Sequence, residues 1–137
     1  VPADPRAGQG GVGVTRALLV ACAGGLGALA RWGLTLVLQR FSPAAFPGGT
    51  LGVNVIGCFL LGLLAELALE RTPLGGHARY VLLVGFLGAF TTFSTFGYET
   101  LILLREGAAL RAALNVGLSV GLGLAACWGG VALAGRL

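Results

Sequence analysis

Residues 85 to 99 read Gly-Phe-Leu-Gly-Ala-Phe-Thr-Thr-Phe-Ser-Thr-Phe-Gly-Tyr-Glu. The hydroxyls of Thr91, Thr92, Ser94 and Thr95 stand among the rings of Phe86, Phe90, Phe93 and Phe96, inside an otherwise apolar stretch. Hydroxyls donate hydrogen bonds, and the edges of aromatic rings carry partial positive charge. Together they suit a small anion that has shed its water, because they hold it more softly than full charges, which would bind too tightly for release. Gly85 and Gly88 weaken a helix here, and Gly88 offers a place to break it. In a bilayer, backbone groups freed by a break need partners in protein, ion or water. Packing is the open alternative, since Phe86, Phe90 and Phe93 share one helical face at i, i+4, i+7 and Phe96 follows at i+3.

Other polar residues lie in equally apolar surroundings. Asn54, in Pro47-Gly-Gly-Thr-Leu-Gly-Val-Asn-Val-Ile-Gly57, either bonds across helices as structural glue or offers its NH2 to an anion while protein holds its oxygen. Arg31 falls in mid-span, where a charge costs about 2.5–3.5 kcal/mol on insertion scales. It either snorkels beside Trp32 or attracts anions at a vestibule. Asn115 and Ser119 share a face at i, i+4, continued by Gly123, and either extend a polar track or bond to neighbouring helices. Glu99 sits near the water interface or tunes the mouth of a pore.

The elements that must position these residues are written in the hydropathy. Of the 137 residues, 56% are hydrophobic and only 10% charged, with mean hydropathy +0.91. Apolar stretches at about 17–38, 50–69, 80–104 and 112–134 are each long enough to cross about 30 Å of hydrocarbon as a helix. The expected fold is an all-α membrane protein of four spans, with a break in the third. Residues 1–14, rich in Gly and Pro, read as a flexible tail before a membrane domain at 15–137. Small residues spaced by four, Gly24 with Ala28 and Gly117 with Gly121 and Ala125, predict close helix approach.

All nine basic residues are arginine, and the net charge is +4. Most lie at predicted helix ends, so they read as topology signals and not as a nucleic-acid surface. With four spans, Arg6, Arg16, Arg71, Arg79 and Arg136 fall on one side and Arg40, Arg105 and Arg111 on the other. So small a bias suits a chain that inserts both ways. Cys22, Cys58 and Cys127 lie within spans and show no metal or disulfide spacing. Gly25-Leu-Gly-Ala-Leu-Ala30 matches a dinucleotide fingerprint by letter, but no strand precedes it and no acidic residue follows at the required distance. No catalytic triad, metal cluster or carboxylate dyad points to an enzyme.

Three motifs, Gly24-Gly-Leu-Gly-Ala-Leu-Ala-Arg31-Trp, Gly49-Thr-Leu-Gly-Val-Asn54-Val-Ile-Gly57 and Gly85-Phe-Leu-Gly88-Ala-Phe-Thr91-Thr-Phe93-Ser-Thr-Phe96, resemble those of the Fluc (CrcB) fluoride channel family. The resemblance covers about residues 16 to 134. It implies a dual-topology antiparallel homodimer of four-helix subunits in a bacterial or archaeal plasma membrane, surrounded by lipid. It also implies two fluoride pores at the subunit interface, a central structural sodium ion, and passive export of cytoplasmic fluoride. Phe93, Phe96 and Asn54 match the pore positions, with Ser94 and Thr95 in the hydroxyl-rich motif and Asn115 and Ser119 on the polar track. Arg31 matches the vestibule arginine and Glu99 the acid near the pore mouth. Gly88 and Thr91 match the positions whose backbone carbonyls hold sodium. Gly123 departs from the pattern, standing where a second hydroxyl is often found. The main rival is a small multidrug-type transporter of guanidinium or cationic compounds, also four-helical. It wants a carboxylate in the first span, where this chain has Arg31.

Overall fold

The computed structural model describes residues 9–70 and 76–137. Among these there is no β-strand. Helix α1 (Gln9–Gln39) is followed by α2 (Gly48–Glu70) and the short α3 (Gly76–Tyr80). A π-helical segment, Val81–Leu87, joins α3 to α4 (Gly88–Phe90), and α5 (Phe93–Arg105) and α6 (Ala109–Ala134) complete the chain. Four stretches are long and apolar enough to cross a membrane: Gly13–Gln39, Gly48–Ala68, His77–Arg105 and Ala109–Ala134. They coincide with the four expected spans. Helix α1 already begins at Gln9, inside the segment assigned to the tail. Arg6 and Arg71 lie outside the described residues.

Two helix ends show how local bonds satisfy them. Helix α2 is capped by a side chain from α1, because Gln39 Oε1 accepts from the Gly49 N–H at 2.9 Å and Gln39 Nε2 donates to the Phe46 carbonyl at 2.8 Å. Pro47 immediately precedes that helix, as befits a residue without an N–H to leave unpaired. Helix α5 ends in a Schellman motif. Gly107 takes φ +73°, the Ala108 N–H reaches the Leu103 carbonyl, and the Gly107 N–H reaches Leu104. That turn returns the chain as α6.

Helix α2 packs along α6, while α1 packs on the π-helical segment, α4 and α2; α5 lies chiefly on α6. Three glycine contacts set these distances. A Cβ at Gly27 would fall on the Phe86 carbonyl, so α1 meets the third span backbone to backbone. Gly62 and Gly130 do the same for α2 and α6, facing the carbonyls of Cys127 and Phe59. Close approach without a driving force from water is how helices associate in lipid. The expected contact face Gly117, Gly121 and Ala125 is not used within the chain: all three are exposed, and α6 turns Gly123 and Gly130 inward instead. The α2 partner groups require that face, because only there does a glycine meet a backbone carbonyl.

The third span carries its irregularity at the hydroxyl run. Gly88 is helical, with φ −62° and ψ −33°. Thr91 (φ −84°, ψ 156°) and Thr92 (φ −146°, ψ 111°) are extended between α4 and α5. Two extended residues turn the chain about its axis, so the four phenylalanines do not form one stripe. Phe86 and Phe90 stack with centroids 6.0 Å apart before the extended pair, and Phe93 and Phe96 pair at 5.5 Å after it.

Candidate functional site

The extended pair Thr91–Thr92 is the centre from which the site is built. Asn54 on α2 meets it with both ends of its amide: Nδ2 donates to the Thr92 carbonyl at 3.0 Å, and Oδ1 accepts from the Thr92 N–H at 2.8 Å. The amide thus acts toward Thr92 as a neighbouring strand would. Nδ2 carries two hydrogens, and one remains beyond the bond to Thr92. Thr92 Oγ1 in turn accepts from the Thr95 N–H and caps α5, and donates to Thr95 Oγ1 at 2.9 Å. Arg31 Nε donates to the Ala89 carbonyl at 3.1 Å.

These bonds take donors away from two other carbonyls. A continuous helix would direct the Thr92 N–H to Gly88 and the Thr95 N–H to Thr91. Here Asn54 Oδ1 and Thr92 Oγ1 accept those N–H groups instead. The Gly88 and Thr91 carbonyls are therefore among those of this span released from their helical donors, as is that of Ala89, which accepts from Arg31 instead. Carbonyl oxygens of this kind suit a hard cation without side-chain ligands. No cluster of three or more His, Cys, Asp or Glu side chains exists among the described residues.

Beside the extended pair lies a cleft of about 260 Å³, lined by Asn54, Cys58, Thr91, Thr92, Phe93, Phe96 and Ser119 among others. Ser119 Oγ is buried with no hydrogen-bond partner among the described residues. Phe93 is 83% exposed, so the cleft has one aromatic wall standing free of the core. Aromatic rings, an amide and a hydroxyl line it together without a full positive charge.

The remaining candidates fall elsewhere. Ser94 is exposed, with its hydroxyl 3.4 Å from Thr92 Oγ1, and Thr95 faces that same cap. Neither lines the cleft. Asn115 is only 1% exposed; its Nδ2 donates to Thr100 Oγ1 at 2.9 Å, and Thr100 Oγ1 donates to the Phe96 carbonyl at 2.8 Å. It ties α6 to α5 one turn from Ser119. Gly123 faces Cys58, whose sulfur would lie 3.6 Å from an added Cβ. Glu99 Oε1 accepts from Thr50 Oγ1 at 2.8 Å, and its Oε2 is buried without a partner among the described residues. Glu99 lines a second cleft of about 480 Å³ with Gln39, Phe46, Tyr98 and Glu106.

Sequence reading passed over Thr92 as the pivotal hydroxyl, and missed Cys58, Thr50 and Thr100. The capping pattern Thr92-x-x-Thr95 was visible, but four adjacent hydroxyls left it unmarked.

Four stretches long and apolar enough to cross a membrane, three of which line this cleft, make this a multi-pass membrane protein. The family described as "CrcB-like protein, Camphor Resistance (CrcB)" matches residues 18–131, and the chain belongs to that family. It is 52% identical over 118 residues to the "Fluoride-specific ion channel FluC" of Methylococcus capsulatus, covering 86% of this chain but 52% of that protein. The chain thus spans about half the length of that relative. It is also 47% identical to the protein of the same name from Geobacter sulfurreducens, covering 90% of this chain and 100% of the relative. The Thermus thermophilus protein so named is 48% identical over 92% of this chain and 98% of its own length.

Proposed function

We propose that this chain forms a fluoride-selective passive channel and does not act as an enzyme. The observation that carries the reading is the cleft in which Asn54, Ser119 and the rings of Phe93 and Phe96 converge, in a chain whose relatives bear a fluoride channel's name. Fluoride exchanges its hydration shell there for the spare Asn54 N–H, the Ser119 hydroxyl and ring edges. Because each of these donors is weak, the anion leaves as readily as it arrives. An inside-negative potential drives it out, each charge crossing 100 mV being worth about 2.3 kcal/mol.

The extended pair Thr91–Thr92 acts as a break in the third span, and the Gly88 and Thr91 carbonyls hold a structural sodium ion. Their loss of helical donors supports that assignment. A second copy, packed antiparallel in a dual-topology homodimer, supplies the other wall of each pore. The free face of Phe93 and the exposed Gly117, Gly121 and Ala125 support it. Ser94 and Thr95 serve the pore by closing the cap on α5, and Asn115 by holding Phe96 in register. Glu99 stands toward the pore mouth.

Electrode-detected fluoride efflux from liposomes tests the proposal, with valinomycin releasing a potassium gradient and chloride run in parallel. The expected outcome is rapid fluoride release without chloride release and without an imposed proton gradient. Absence of release from folded protein overturns the channel reading. Dependence on a proton gradient would instead favour the four-helix cation transporter.

A further inference from the structure

We infer that Arg31 is a positioning residue, its guanidinium clasping the backbone where the third span turns extended instead of gathering anions at a vestibule. Its consequence for transport rests on the channel reading proposed above; the clasp itself does not. In a continuous helix the Ala89 carbonyl would accept from the Phe93 N–H. Helix α4 ends at Phe90, Thr91 and Thr92 are extended, and Phe93 opens a new helix. Arg31 Nε supplies a donor to that carbonyl at 3.1 Å.

The approach is built over two turns of α1. Gly24, Gly27 and Arg31 share one face at i, i+3, i+7. A Cβ at Gly27 would fall on the Phe86 carbonyl, and one at Gly24 would lie 3.6 Å from the Gly85 carbonyl oxygen and 3.9 Å from the Ala89 Cβ. The two backbones therefore run nearly in contact up to Arg31. That closeness is why Nε, set deep on the side chain, makes the bond. The guanidinium carries five N–H donors, so the bond by itself leaves its terminal nitrogens unassigned and the test below separates clasp from attractor.

The charge also fits its place. Arg31 lies at the C-terminal end of the helical run Gly76–Phe90, where exposed carbonyls carry partial negative charge that favours a cation. Asn54 grips Thr92 from α2 and Arg31 grips Ala89 from α1, so the backbone is held both within the extended pair and just before it. With both grips in place, Phe93 and Phe96 start α5 from a fixed point.

The test compares the full-length protein with Arg31→Lys, Arg31→Met and Gly27→Ala. Arg31→Lys keeps the charge but puts its nitrogen one bond beyond Nε, and Gly27→Ala keeps the arginine but pushes α1 away from the third span. Hydrogen–deuterium exchange at the backbone amides of residues 91–95 is the first readout, and fluoride efflux at low and high ionic strength is the second. The clasp predicts exchange faster by about tenfold in all three variants, as for loss of a charge-assisted hydrogen bond. It also predicts efflux deficits that added salt does not change.

Arg31→Lys with exchange and efflux like the unaltered protein, beside an Arg31→Met deficit that salt abolishes in the comparison, would overturn the clasp in favour of an electrostatic attractor. Where Arg31→Met does not fold, the lysine and alanine variants decide the matter. If the unaltered protein releases no fluoride, the channel reading fails while the exchange comparison still judges the clasp.

Discussion

At the scale of single residues, the site depends on amides and hydroxyls whose two faces do different work. Asn54 uses its oxygen and one N–H to hold Thr92, leaving the other N–H for the proposed anion. Phe93, by contrast, is 83% exposed and contributes little to the core. Replacement therefore separates holding from conducting. Phe93→Ile should leave thermal stability within about 0.5 kcal/mol, as for surface changes, while abolishing fluoride efflux. Asn54→Ala should lose efflux and also stability, by about 1–3 kcal/mol for the unpaired Thr92 groups. Melting in detergent and efflux from liposomes, measured on both variants, check this; equal stability losses would contradict the division of roles. The sequence marked Asn54, Phe93, Phe96 and Ser119 because amides, rings and hydroxyls in apolar surroundings are conspicuous by type alone. It did not single out Thr92 among four neighbouring hydroxyls, since capping depends on dihedral angles that no residue type dictates. Nor could it separate Asn115 from Ser119: both lie on one face of α6, yet one bonds Thr100 and the other lines the cleft.

At the scale of elements, glycines set how near the helices come, and that nearness decides which side chains meet. Gly130 lies against the Phe59 carbonyl and the Leu63 nitrogen, so α2 and α6 cannot move apart without moving Asn54 away from Ser119. Gly130→Val should cost about 1–3 kcal/mol by overpacking and reduce efflux, whereas Gly129→Val, at a position open to its surroundings, should do neither. Paired melting and efflux measurements on the two variants test the claim, and equal effects would refute it. The spans were legible from hydropathy within a few residues at most ends, because lipid demands a long apolar run of any helix that crosses it. The contact faces were less so. Spacing by four favoured Gly117, Gly121 and Ala125, but any small residue permits close approach and only the facing helix determines which one is used.

At the scale of the whole molecule, the proposed dimer and sodium ion explain features that one subunit leaves incomplete. The cleft is open beside Phe93, and the Gly88 and Thr91 carbonyls lack their helical donors. Dialysis against a bulky organic cation in place of sodium should reduce fluoride efflux, and returning sodium should restore it; undiminished efflux would remove the ion from the proposal. Light scattering in detergent should return two subunits, and a monomer that conducts would remove the dimer. By itself, the order of residues along the chain determined four membrane spans, the polar types set within them and the family, because hydropathy and local motif chemistry are carried by neighbours in sequence. Only the tertiary structure decided that Asn54 and Arg31 grip backbone at Thr92 and Ala89 and that Phe93 stands apart from Phe90. Those outcomes depend on groups 38 and 58 residues apart meeting across helices, where packing distance and dihedral angle, not residue type, choose the partner.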